Sequence, residues 1–258
     1  MIVTTAGRTN EDMISFAREV AKDLQVTFIL RKKQSVLSIQ KTHQEDVLVV
    51  GKDRLELHPF NLSDPLFFHP NSAMFRVKRI INGESEHFLD VVNLHEGSIF
   101  IDCTLGLASD SIVASYVVGE SGQVLGVEAS ETLAYIVSKG LQKWETGIPK
   151  MDQALRRIKV NVCHHQQYLE SLPDDFADVV YFDPMFTQEI PESTGISGIR
   201  EMAIYEPLTI EAITQAKRVA KKRIVLKDHW KSDHFERLGF TVRKRKTAKF
   251  YYGVIELS

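Results

Sequence analysis

The sequence predicts an α/β protein whose larger part is a mostly parallel sheet with helices on both faces. Three observations carry that expectation. From residue 98 onward, short β-branched and aromatic runs alternate with helix-length stretches. A glycine turn, Leu105-Gly106-Leu107, follows the first of those runs. The chain then ends on two strand-like runs with no helix between them. Strands that alternate with helices pair in parallel and are covered on both faces. Two that follow each other directly form an antiparallel hairpin, here at the sheet edge.

The elements follow in order. Residues 10–23 read as an amphipathic helix, capped by Asn10 or Thr9, with Met13, Ile14, Phe16, Ala17 and Val20 on its apolar side. Residues 26–30, 47–50 and 55–58 read as short strands, with a short helix over 34–42. Two prolines bracket the apolar run in 64–71, which suits a strand or loop and excludes a helix. Residues 1–72 are assigned to a small N-terminal α/β domain, 73–94 to a helical connector and 95–258 to the main domain. In the main domain, strands are expected at 98–102, 123–128, 158–162, 177–183 and 223–227. Helices are expected at 110–118, from about 130 through Trp144, and at 208–220. The terminal hairpin takes 240–245 and 250–257.

A chain of 258 residues, 43% hydrophobic and 26% charged, is long enough for one large core or two modest ones. That composition excludes collagen, a disulfide scaffold and wholesale disorder. No apolar run approaches the ~18 residues that suggest a membrane span, and the first residues lack the pattern of a secretory leader. Cys103 and Cys163 fall in no metal-binding spacing, so no metal centre is expected. A reduced, cytoplasmic protein is the expectation, and a Cys103–Cys163 bridge is disfavoured there.

The formal net charge of -2 hides an asymmetry. Residues 1–95 hold 12 basic and 12 acidic side chains, residues 96–216 hold 7 and 18, and residues 217–249 hold 13 and 3. A basic stretch in an otherwise acidic chain suits a polyanionic partner. It equally suits a solvated helix and an edge strand that lysines protect from pairing with other chains.

Ligands of open α/β sheets sit beyond the carboxyl ends of the strands, where the strand order reverses. Three such ends carry chemistry here. The first is Asp102-Cys103-Thr104-Leu105-Gly106-Leu107-Ala108-Ser109-Asp110; the second is Glu128; the third is Asp183-Pro184-Met185-Phe186. The first loop lacks the GxGxxG of a dinucleotide site and is bracketed by two acids. A pyrophosphate wants backbone N–H groups and a helix dipole without carboxylates nearby. A cationic ligand can use those carboxylates, and S-adenosylmethionine (SAM) carries a sulfonium, an ammonium and no phosphate. Glu128 is then placed to hold both ribose hydroxyls. Singly, Gly106 is a turn glycine and Glu128 a solvated acid. In order on successive strand ends, the three segments point to a methyltransferase.

The third segment suits transfer to an amino group. A carboxylate accepts one hydrogen of an exocyclic amine. Proline forces extended backbone on the residue before it, and its carbonyl accepts the second hydrogen. The aromatic ring stacks on the base, a contact worth roughly 1–3 kcal/mol. An exocyclic amine is a poor nucleophile because its lone pair is delocalised into the ring. Two acceptors turn that lone pair toward the methyl group, so the rate comes from positioning and charge complementarity. The bland alternative is a strand-ending Asp-Pro turn.

With these segments the chain resembles the RsmJ-type class I methyltransferases, and most closely their YpiP-like Gram-positive relatives. The resemblance rests on residues 102–110 and on Tyr181-Phe182-Asp183-Pro184-Met185-Phe186. Residues 68–79 and Gly195-Ile196-Ser197-Gly198-Ile199-Arg200 support it. It implies a Rossmann-like sheet with a small N-terminal α/β domain, SAM as methyl donor and S-adenosylhomocysteine as product. It implies RNA as substrate, since RsmJ methylates N2 of a guanine in small-subunit (16S) ribosomal RNA. By the motif match, Asp102, Thr104, Gly106 and Asp110 line the methionine end of SAM and Glu128 the ribose. Asp183, Pro184 and Phe186 meet the target base, with Asp183 also bordering SAM. Two positions depart from the pattern. His165 stands where many methyltransferases hold adenine with an Asp, and Ala108 replaces a second glycine.

The remaining candidates concern RNA. Arg76 and Arg79 can share one helix face near His69 and the domain junction; phosphate contacts and a solvated connector face both fit. Arg200, Lys227, Arg243 and Arg245 are further candidate contacts, with Lys244, Lys246 and Lys249 beside them. Residues 187–200 read as a lid over the base. His164 and His165 read as loop residues, Trp144 and Trp230 as packing residues. Two other readings stand: the same fold acting on a small molecule or protein, and an RNA-binding ribosome assembly factor without catalysis. The basic C-terminal stretch and the Asp183 segment favour RNA methylation.

Overall fold

The structure is a computed structural model that describes residues 1–62, 64–184, 208–244 and 248–257. The described residues form a four-stranded and a seven-stranded sheet.

The smaller sheet has the order β2-β1-β3-β4, with β1 at Ile2–Thr5, β2 at Thr27–Phe28, β3 at Val47–Val50 and β4 at Leu55–His58. β1 pairs in parallel with β2 and β3, and β4 closes the edge antiparallel to β3. Helix α1 (Glu11–Asp23) starts where Asn10 accepts the Met13 N–H at 2.9 Å. Its Ala17 and Val20 share a core with Val3, Leu48 and Val50. Helix α2 (Val36–His43) sets Ile39 against Ile2, Val47 and Val49 on the other face. β3 is apolar throughout because its alternate side chains feed two cores. The sequence reading missed β1, whose two apolar residues are too few to show a period. It also overextended β2, which covers only two of the residues 26–30.

Helices α3 (Asn71–Ile81) and α4 (His87–Val92) lead into the larger sheet. There β5 (Ile99–Asp102), α5 (Ser109–Val118), β6 (Gln123–Glu128) and α6 (Glu131–Lys143) come first. Next come α7 (Pro149–Arg157), β7 (Lys159–Val162), α8 (His165–Glu170) and β8 (Ala177–Phe182). Helix α9 (Ile210–Val219), β9 (Ala220–His229), α10 (His234–Arg237), β10 (Thr241–Arg243) and β11 (Phe250–Glu256) complete it. The order is β10-β11-β9-β8-β5-β6-β7, parallel except for β11, which runs antiparallel to both β9 and β10. The parallel sheet and the terminal hairpin are as expected. Three helices were missed: α7, α8 and α10. Of these, α7 carries a readable signal in Pro149 at its first turn and in buried Met151, Ala154 and Leu155.

One continuous apolar cluster joins α1 and the small sheet to α3, α4, α5, α6 and one face of the large sheet. A second, with α8, α9 and Phe235 of α10, covers the opposite face. Where the first cluster bridges the sheets, Phe68 lies against Gly140 of α6. A Cβ on Gly140 would fall 2.3 Å from the Phe68 ring and 2.6 Å from its Cβ. Cys103 and Cys163 are free thiols. Among the described residues, no helix is long and apolar enough to cross a membrane.

Gly140→Ala tests this contact. Helix propensity favours alanine by about 1 kcal/mol, so any net loss is a lower bound on the overpacking against Phe68. The expected net loss is about 1 kcal/mol, read as a Tm lower by about 3 °C in a thermal melt.

Candidate active site

Strands β5 to β9 are parallel, so their carboxyl ends share one edge of the sheet. The chain winds outward from β5 through β6 and β7, then crosses back to β8 on the other side of β5. The strand order therefore reverses between β5 and β8. Asp102 ends β5, Glu128 ends β6, and Asp183 directly follows β8.

The loop from β5 to α5 is tied down from inside. Asp102 is 2% exposed. It accepts the Thr104 N–H at 3.1 Å and the Ser111 hydroxyl at 2.7 Å. Burial pushes its carboxyl up to about 7, against the Ser111 hydrogen bond. Gly106 takes φ +49°. Its N–H donates to Glu128 at 3.2 Å, and the other Glu128 oxygen accepts the Ser130 N–H at 2.9 Å. Burial raises the Glu128 carboxyl, opposed by those N–H groups. Ala108, at φ +62°, holds a left-handed position that glycine adopts more cheaply. The first turn of α5 has no side-chain cap, and the buried Ser109 hydroxyl has no partner among the described residues.

Between β5 and β8 lies a cluster of ions. Asp110, in the first turn of α5, faces the Arg76 guanidinium at 2.5 Å, the Tyr181 hydroxyl at 2.8 Å and the Lys227 ammonium at 3.5 Å. Lys227 also lies 2.6 Å from Asp183. Arg76 also lies 2.9 Å from Glu86. The Asp183 N–H donates to the Thr104 hydroxyl at 2.6 Å, tying the end of β8 to the loop. Although burial opposes its ionisation, Lys227 and Arg76 hold Asp110 well below the usual carboxylate range. Burial pushes Asp183 up to about 6; Lys227 pulls it down, and the Asp110 charge adds to the rise. Lys227 and Arg76 are raised despite burial, by the acids they face, and stay charged.

Arg76 and Lys227 are spent on internal ion pairs rather than displayed toward a polyanion. Arg79 bonds Glu84 and the Ser85 carbonyl. Arg243 is exposed, with Glu256 at 3.9 Å. Part of the basic stretch is matched within the fold: Arg218 pairs with Asp174, Lys222 with Asp178 and Arg223 with Glu256. His165 opens α8 rather than lying in a loop. Its ring meets Phe182 edge-on at 5.6 Å, and burial lowers it to about 4, so it is neutral near pH 7. Trp144 packs on Phe68, but Trp230 is 47% exposed beyond the end of β9 and is not a packing residue. Pro184 follows Asp183 at the strand end. Phe186, Arg200, Arg245 and residues 187–200 lie outside the described residues. Glu86, Tyr181 and Tyr252 were not singled out from sequence. Of these, Tyr181 sits inside the Tyr-Phe-Asp-Pro-Met-Phe segment, where it could have been found.

The strand-end acids, the glycine loop and the uncapped α5 match a chain-wide similarity. The SAM_MT family model, described as "Putative SAM-dependent methyltransferase", matches residues 30–250. The chain belongs to this family. The methyltransferase is 47% identical over 257 residues, spanning all of both chains, to the uncharacterized protein YpiP of Bacillus subtilis strain 168. It is 25% identical over 191 residues to ribosomal RNA small subunit methyltransferase J of Nitrosococcus oceani, covering 70% of this chain and 72% of that one. The enzyme of that name from Psychrobacter arcticus is 26% identical over 167 residues, 62% of this chain and 53% of its own. Among solved structures, the SAM-dependent methyltransferase NGO1261 of Neisseria gonorrhoeae aligns over 99% of this chain and 96% of its own. The TM-score is 0.67 at 16% identity, which shows a shared fold. SAM is thus the methyl donor, and the unpartnered Ser109 hydroxyl at the open start of α5 suits a ligand with a carboxylate.

The methyltransferase should depend on Arg76 for stability. Arg76→Ala leaves Asp110 buried with less compensation, and the expected loss is about 3 kcal/mol in urea unfolding. A loss under about 1 kcal/mol would show that Lys227 and Tyr181 suffice.

Proposed function

We propose that this methyltransferase transfers a methyl group to the exocyclic N2 amine of a guanine in small-subunit (16S) ribosomal RNA, as a cytoplasmic enzyme. The observation that carries the reading is the Asp183 carboxylate at the end of β8, its backbone bonded to Thr104 of the glycine loop. The acceptor for an amine and the loop for the methyl donor are thereby one unit. The similarity to ribosomal RNA small subunit methyltransferases J supports the substrate class.

When bound, SAM supplies an electrophilic methyl group on a sulfonium. Glu128 would hold the ribose, with lone pairs to spare beyond its two backbone N–H partners. The α5 terminus and the Ser109 hydroxyl would meet the methionine carboxylate, beside Thr104 and Gly106. Neutral His165 would border adenine. Asp102 acts from inside by bracing the loop. Asp183 accepts one amine hydrogen and the Pro184 carbonyl the other, while Phe186 stacks on the base. With SAM bound, its methyl group would be available to the amine nitrogen held by these acceptors, and Asp183 would take the amine proton.

Three outcomes are expected. In calorimetric titration, S-adenosylhomocysteine binds with micromolar affinity, and Glu128→Ala abolishes binding. Asp183→Ala keeps the affinity but loses at least about 100-fold in methyl transfer to small subunits from cells lacking the protein. Equal turnover in wild type and Asp183→Ala refutes the assignment. Because the carboxylate is the working form and its pKa is about 6, turnover should also fall as pH drops through 6.

A further inference from the structure

We propose that Lys227 is a positioning residue for methyl transfer: its ammonium, bridging Asp110 and Asp183, fixes one Asp183 oxygen and leaves the other to the substrate amine. The inference rests on the role proposed above for Asp183.

The bridge follows from register. Phe182 of β8 pairs with Leu226 of β9, so the next residues on each strand, Asp183 and Lys227, meet just beyond the last paired positions. The ammonium contacts Oδ2 of Asp183 at 2.6 Å and Oδ2 of Asp110 at 3.5 Å. Among the described residues, no hydrogen bond reaches Oδ1 of Asp183. Asp110 is itself held by Arg76 and Tyr181, so it cannot follow Asp183. Phe250 closes the side of the ammonium, its ring centre 5.1 Å from Nζ. Lys227 is thus pinned between a braced acid and a working one.

The bridge also sets charge. Among the described residues, the groups that face Asp183 are Lys227 and Asp228 of β9, Asp110 of α5, Asp102 of β5, Tyr181 of β8 and Tyr252 of β11. Among them only Lys227 is a cation. The acids around Asp183 all favour its protonated form, and Lys227 opposes them. A phosphate-binding lysine at this position would have to abandon one buried and one partly buried carboxylate, which is costly.

The test uses the full chain with K227M, K227R and D183N. Two readouts are taken. One is the carboxyl titration of Asp183 by NMR of ¹³C-aspartate-labelled protein, with the resonance assigned by its absence in D183N. The other is the pH profile of methyl transfer to small subunits from cells lacking the protein. In K227M the Asp183 midpoint should rise by about one to three pH units. Turnover should then fall about tenfold at pH 7 and recover by pH 9. K227R should keep a midpoint near that of wild type. S-adenosylhomocysteine affinity should stay within about twofold in both variants. An unchanged midpoint and an unchanged acid limb in K227M overturn the proposal. So does loss of S-adenosylhomocysteine binding in K227M, which would make Lys227 a fold residue. If D183N is as active as wild type, or wild type leaves small subunits unmethylated, the functional reading fails. The NMR midpoint alone then decides whether Lys227 controls Asp183.

Discussion

Asp110 carries a charge into a site with little access to water, and that charge has to be met from inside the protein. It is met from three directions: Arg76 on α3, Tyr181 on β8 and Lys227 on β9. Each contact fixes the distance between two elements that are far apart in sequence. The guanidinium ties α3 to α5, and the ammonium ties β9 to the start of α5 and to the end of β8. The aromatic layer beneath supports the same geometry. Phe88 of α4 packs edge-on against Tyr181 and Phe100 and lies beneath Arg76. The two helices ahead of β5 thus supply a cation and a ring to the heart of the large sheet.

This dependence explains what the sequence showed and what it hid. The parallel sheet was legible because each strand is a local apolar run and each strand end carries its own acid. Asp102, Glu128 and Asp183 could be placed on one edge from topology alone. Arg76 and Lys227 could not. Asp110 lies 34 residues from Arg76 and 117 from Lys227, and Asp183 lies 44 from Lys227. Helix-face spacing for Arg76, and the basic stretch for Lys227, therefore suggested an outward face. The same limit applies to Arg218, Lys222 and Arg223, whose acids come from other elements. Helix α7 is a different case: Pro149 and three well-spaced apolar residues announce it. β1 was hidden because its strandness comes from two neighbours rather than from its own four residues.

The glycine loop shows strain and bracing in balance. Ala108 holds a left-handed conformation that costs about 1 kcal/mol relative to glycine. Asp102 offsets it by binding both the loop backbone and the first helical turn. Its carboxyl is raised to about 7, so the folded state binds its proton more tightly than the unfolded chain does. That contribution to stability is therefore largest at low pH. It declines as pH rises from the ordinary carboxylate range to about 7. A cationic ligand placed nearby would reverse the trend by favouring the anion.

Under the proposed reaction, positive charge leaves a sulfonium and arrives on an amine nitrogen. A site that held a fixed surplus of negative charge would favour the donor as much as the transition state. The ion cluster avoids this, because Lys227 and Arg76 offset Asp110 and part of Asp183. Among the described residues, the Asp183 oxygen left without a hydrogen bond is located where the amine charge appears. Binding that strengthens only as the reaction proceeds lowers the barrier, whereas uniform attraction does not. On this reasoning the two cations make the site selective in where its negative charge acts, and a lysine beside the working acid is consistent with methyl transfer rather than opposed to it.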